Sequence, residues 1–287
     1  VFMGKKIIRV IAVVLIPVVC LYLLTLLLTP KYVNDIPEGS MIAEYYKSEK
    51  NNDVLILGDC EVYENISTVK MWEEYGITSY IRGSSEQLIW QSYYLLEDTL
   101  KHETPKVVVL SMLAMSEADA KSEAYNRMTL DGMRWSKSKW NSIKESMTEK
   151  ETMGSYIFPL LRYHSRWSEL SSEDFRYMWK TPSVTTNGYL MQKGVRPVKT
   201  IPKAAPLANY TFSDRNMEYL DKIYSLCKDN GINLVLMKAP SVYPHWYDEW
   251  DKQVSDYAYE HGILYLNTIN EAGNIGIDYT TDTFDYG

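Results

Sequence analysis

Short, wholly apolar runs alternate along the chain with longer amphipathic stretches. In Asp53-Val54-Leu55-Ile56-Leu57-Gly58 four aliphatic residues lie between an acid and a glycine, which predicts a buried parallel strand stopped by a tight turn. Residues 77–82, ended by Gly83, and residues 106–110, 233–237 and 264–266 repeat the pattern. The stretches between them read as helices. Ser67 caps one that carries Val69, Met71 and Trp72 and stops at Gly76; Ser84 with Gln87 forms a capping-box pattern ahead of Leu88, Tyr93, Leu95, Leu96 and Leu100. Ser213 starts another with Met217, Leu220, Tyr224 and Cys227 on one face and Gly231 past its end. Residues 246–261 turn Trp250, Val254, Tyr257 and Ala258 inward and stop at Gly262. Strands alternating with helices predict an α/β fold with five parallel strands and right-handed crossovers, in an order the pattern leaves open.

Two stretches depart from this rhythm. Residues 115–213 hold no clear strand, are rich in Trp, Tyr, Arg and Met, and carry Pro182, Pro197, Pro202 and Pro206 late. A plain loop of that length does not suit a compact domain, so a helical insertion followed by an irregular excursion is expected. Residues 10–28 contain no charge, follow Lys5, Lys6 and Arg9, and precede Lys31. They are long enough to cross a bilayer, and the flanking cations place the short tail in the cytoplasm. A cleaved signal peptide would have a shorter apolar region and a small-residue cleavage site. The expected organisation is a cytoplasmic tail (1–9), a single membrane span in contact with lipid (10–28), a polar linker (29–50) with a short helix over 41–46, and an extracytoplasmic domain (51–287) at the cell membrane.

A net charge of −7 argues against a nucleic-acid partner, which requires a basic face. The three cysteines (Cys20, Cys60 and Cys227) form neither a disulfide framework nor a zinc-ligand spacing, and no metal or cofactor is expected. Aromatic content is weighted to Tyr and Trp, which suits carbohydrate-facing clefts and ordinary cores alike. Cys227, on an apolar helix stripe, reads as a core thiol. Cys60 directly follows the first strand and its glycine, where backbone N–H groups can hold an oxyanion and a helix N-terminus lowers a thiol's pKa. A buried structural cysteine is the competing reading. His245, beyond the fourth strand, and His164, in the insertion, are candidate bases for Cys60 or else solvated, structural side chains. Arg162 and Arg166 suit an anionic glycopolymer or an internal ion pair.

Leu57-Gly58-Asp59-Cys60, then Arg82-Gly83-Ser84-Ser85, then Thr281-Asp282-Thr283-Phe284-Asp285-Tyr286-Gly287 resemble, in order and at strand ends, the motifs of the SGNH/GDSL hydrolase superfamily. The likeness is strongest to its membrane-anchored branch, which includes the lipoteichoic-acid D-alanylation and alginate O-acetylation accessory proteins. The resemblance implies a three-layer α/β/α sandwich over about residues 50–287. It implies an esterase or O-acyltransferase acting on a cell-surface glycopolymer, with a membrane-bound O-acyltransferase as candidate partner, or an inactive accessory protein of such a system. Carried over by position, Cys60 occupies the serine nucleophile's place, and its N–H and that of Gly83 line the oxyanion hole. Asp285, or else Asp282, is the acid that orients a histidine expected one or two residues beyond Gly287. Two departures stand out: cysteine replaces serine, and Ser111-Met112-Leu113-Ala114 contains no oxyanion asparagine.

Overall fold

The computed structural model describes residues 2–191, 194–196, 203–241, 243–279 and 281–282, with the side chains of 2–12 left out. One parallel sheet organises it: β1 (Val54–Gly58), β2 (Ser79–Gly83), β3 (Val107–Ser111), β4 (Asn233–Lys238) and β5 (Leu264–Asn267), in the order β2-β1-β3-β4-β5. All five strands expected from the apolar runs are present, with ends shifted by a residue or two. Helices follow in chain order: α1 (Phe2–Leu28), α2 (Glu38–Glu44), α3 (Cys60–Asn65), α4 (Thr68–Tyr75), α5 (Ile89–Thr99), α6 (Glu123–Leu130), α7 (Lys137–Ser146), α8 (Met153–Ile157), α9 (Leu160–Tyr163), α10 (Ser172–Arg176), α11 (Asp214–Asp229) and α12 (Asp248–His261).

Period-two side-chain alternation sorts the strands into two faces. Leu55, Leu57, Val108, Leu110, Leu234 and Leu236 form the larger core with residues of α5, α11 and α12. Val54, Ile56 and Ile81 face the other way, onto Val62 and Tyr63 of α3 and Met71 of α4. Among the described residues that second layer does not extend over β5, where Leu264 and Leu266 are exposed. The α/β class and the helix-flanked parallel sheet are thus present, with one face only partly covered by the described residues.

Local signals placed most helix ends. Ser67 Oγ accepts from Lys70 N and Ser213 Oγ from Asn216 N, while Gly76 and Gly262 adopt left-handed caps. The Ser84–Gln87 pattern works differently from its expected role. α5 begins at Ile89, and Gln91 accepts from Leu88 N. Ser84 instead donates to Gln87 Oε1 within a buried turn and pairs with Thr129 of α6. The linker region is also more than a tether: Met41, Ile42 and Tyr45 are buried, and Tyr46 Oη donates to Asp98 Oδ2.

The 115–213 segment is helical to Arg176 and irregular afterwards. Its late part shields the outer edge of β2. Asn187 and Gly188, both at positive φ, form a two-residue turn between Thr186 and Tyr189, and Asn187 O accepts from Ile81 N at 3.0 Å. A Cβ at Gly188 would lie 2.0 Å from Ile81 O, so only glycine fits this approach.

Among the described residues no helix is long and apolar enough to cross a membrane. Residues 10–28 lie within α1, whose side chains are described from Val13 onward. Val13, Leu15, Ile16 and Tyr22 are exposed there, the last two turns are partly covered, and Leu28 is buried.

Candidate functional site

The strand order reverses between β1 and β3, and in open α/β sheets the crevice beyond the carboxyl ends at such a point is the usual ligand position. Gly58 ends β1 there, opposite Gly83 of β2. It packs so closely on β3 that an added Cβ would lie 2.5 Å from Ser111 Cβ. Asp59 then caps α3, its Oδ1 accepting from Glu61 N at 3.1 Å, and Cys60 is the first helical residue. The expected placement of Cys60, at a strand end entering a helix, is present. Gly83 is fully buried beneath Val62 and Tyr63 of α3.

The electrostatics around Cys60 run against an activated thiol. Burial raises its pKa, and Asp59, Glu64, Glu61 and Glu86 raise it further. A six-residue helix supplies little dipole to oppose four acidic side chains. The expectation of a helix-lowered thiol pKa is therefore corrected: the thiol form is favoured. Glu86 lies in a turn at φ 54° and is held by Lys121 Nζ at 2.6 Å. Asp59 is nearly fully buried. Its own burial, reinforced by Glu61, pushes its carboxyl up to about 8.

Glu61 is tied into a cluster that the residue pattern did not suggest. Lys238, fully buried at the end of β4, forms an ion pair with Glu61 and donates to Ser241 Oγ at 2.8 Å and Ala239 O at 2.9 Å. Ser241 Oγ donates to Glu61 Oε1 at 2.5 Å, while Glu61 Oε2 is buried without a partner among the described residues. This knot bridges the turns after β1 and β4 across the top of β3. The only signal for it in the chain is a lysine continuing the apolar run of β4, a position where an unpaired charge would be costly.

The other expected site residues lie apart in character. His245 is exposed, its ring edge-on to Tyr247 at 4.6 Å. His164 is exposed and bonded to Leu160 O at 3.2 Å, a contact within its own turn. Arg162 pairs with Glu123 at 3.2 Å, and Arg166 is spent on Leu28 O at 2.7 Å and Asp174 at 3.2 Å. Asp282 is exposed and closes its own turn, accepting from Asp278 N at 2.8 Å. Asp285 lies outside the described residues. Cys227 is buried on α11 as expected, and burial pushes its thiol up to about 12.

Clefts open elsewhere. One of about 590 Å³ lies between Met115 and Ser116 after β3, residues 207–214, and Trp250; another of about 430 Å³ lies at the base of α1. Cys60 lines neither of them. Among the described residues no group of acids, histidines and cysteines is arranged to hold a metal ion. No protein-family model matches the chain, and no curated protein matches it.

Proposed function

We propose that this chain is an SGNH-like accessory or binding protein of a cell-envelope O-acylation system, held at the membrane by residues 10–28, in which the hydrolase fold is retained without its catalysis. The observation that carries this reading is the acidic enclosure of Cys60. A nucleophile needs a thiolate or a neighbouring base, whereas this thiol has burial and four carboxyl-bearing residues acting on it. The Glu61–Lys238–Ser241 knot adds to it, because it spends the buried Lys238 cation on a structural pair. A glycopolymer ligand and a membrane-bound O-acyltransferase partner follow from the family resemblance and from the uncharged run of residues 10–28.

A second reading, an esterase or acyltransferase with Cys60 as nucleophile, is favoured by one observation. Cys60 is only partly buried and begins α3 at the carboxyl end of β1, beside the switch point. In that scheme the Cys60 sulfur attacks an ester carbonyl, and the N–H groups of Cys60 and Gly83 hold the oxyanion. The C–O bond breaks with the thiol's proton passing to the departing alkoxide, and water or an acceptor hydroxyl then takes the acyl group from the thioester. The two readings separate on p-nitrophenyl acetate turnover by the full chain in detergent. The accessory reading expects equal rates for the wild type and Cys60→Ala. A wild-type rate well above that of Cys60→Ala overturns it and installs the enzyme.

A further inference from the structure

α1 emerges from the protein beside a part of the insertion that exposes more large apolar side chains than a solvated surface normally carries. Phe158, Leu161, Trp167, Phe175 and Trp179 are each between 60 and 72 % exposed. They lie on or next to α8, α9, the 3-10 turn His164–Glu169 and α10, and the last three of these elements pack against α1. The Trp179 ring sits 6.3 Å from that of Tyr22, roughly 9 Å along the α1 axis before its end at Leu28. The cleft of about 430 Å³ opens here, between Tyr22 and Leu26 on one side and Trp179 and Lys180 on the other.

The end of α1 is tied to these elements through Arg166. Arg166 donates to Leu28 O at 2.7 Å and pairs with Asp174 at 3.2 Å. Tryptophan and phenylalanine exposed on and beside elements that pack against the end of an apolar helix, with Lys180 exposed beside them and Arg176 paired with Glu173 at 3.5 Å, match the headgroup zone of a bilayer. Its anionic lipids complement Lys180.

We propose that Phe158, Leu161, Trp167, Phe175 and Trp179 form an interfacial belt that inserts into the lipid headgroup region around α1, so that the insertion lies on the membrane and sets the tilt of the sheet domain above it. This rests on the reading of residues 10–28 as an anchor, and it assigns to the insertion a role in membrane contact. The test reconstitutes the full chain in phosphatidylcholine–phosphatidylglycerol vesicles whose acyl chains are brominated near the carbonyl end, and reads quenching of tryptophan fluorescence. The Trp167→Phe/Trp179→Phe variant should lose about half or more of the quenched signal. Trp72→Phe, which alters an exposed ring on α4, should lose none. A thermal melt matching the wild type confirms that the double variant folds. Quenching unchanged in the double variant overturns the belt, and is the outcome if a protein partner or a second copy covers this face instead. A chain that fails to float with the vesicles overturns the anchor and the belt together.

Discussion

Asp59 serves both as the cap of α3 and as a buried acid. Unfolded, its carboxyl loses its proton near pH 3.8; folded, it holds the proton to about pH 8. Across that window the folded state binds more protons than the unfolded state, so this group lowers stability as pH rises from about 4 to 8. Asparagine caps as well as aspartate and does not titrate. Urea midpoints of Asp59→Asn should therefore fall less between pH 5 and pH 8 than those of the wild type; parallel profiles would remove Asp59 from the account. Lys238 makes a separate prediction. Removing one partner of a buried ion pair strands the other, so Lys238→Met should cost about 3–5 kcal/mol in urea unfolding, and Glu61→Leu/Lys238→Met should cost less than Lys238→Met alone. A single-variant loss below about 1 kcal/mol would mean that the pair is better hydrated than its burial indicates.

At the scale of elements, what could be read from the chain followed how local each cause is. The five strands and the caps at Ser67, Gly76, Ser213 and Gly262 were legible because a run of aliphatics or a single residue decides each of them. Ser84–Gln87 misled because the same spacing serves a buried turn whose partner, Thr129, lies in the insertion. Glu61 and Lys238 are separated by 177 positions, and nothing near either announces the other. The Asn187-Gly188 turn had a readable dipeptide but lacked the flanking alternation that marks a hairpin. That turn carries its own prediction. Gly188→Ala must push the loop off Ile81 O, so hydrogen exchange at the Ile81 amide should accelerate and the edge of β2 should open. Unchanged protection there would show that the loop shifts without releasing the strand.

For the molecule as a whole, the sheet order delivers Gly58-Asp59-Cys60 to the position where doubly wound proteins bind ligands, and the packing then narrows what that position can do. Gly58 closes onto Ser111, Lys238 and Ser241 knot the turn after β4 to Glu61, and the large clefts open at the base of α1 and beside Trp250. We propose a hydrolase-like frame in which the thiol of Cys60, at the strand end, stays protonated. It is tested most directly by the pH dependence of Cys60 alkylation with iodoacetamide, resolved from Cys20 and Cys227 by mass spectrometry in native and urea-unfolded protein. The account predicts that native Cys60 reacts at least about ten-fold more slowly at pH 8 than the unfolded thiol, with no plateau below pH 9, because each unit of raised pKa removes about a factor of ten in thiolate. A native rate above the unfolded one, levelling off below pH 8, would contradict it.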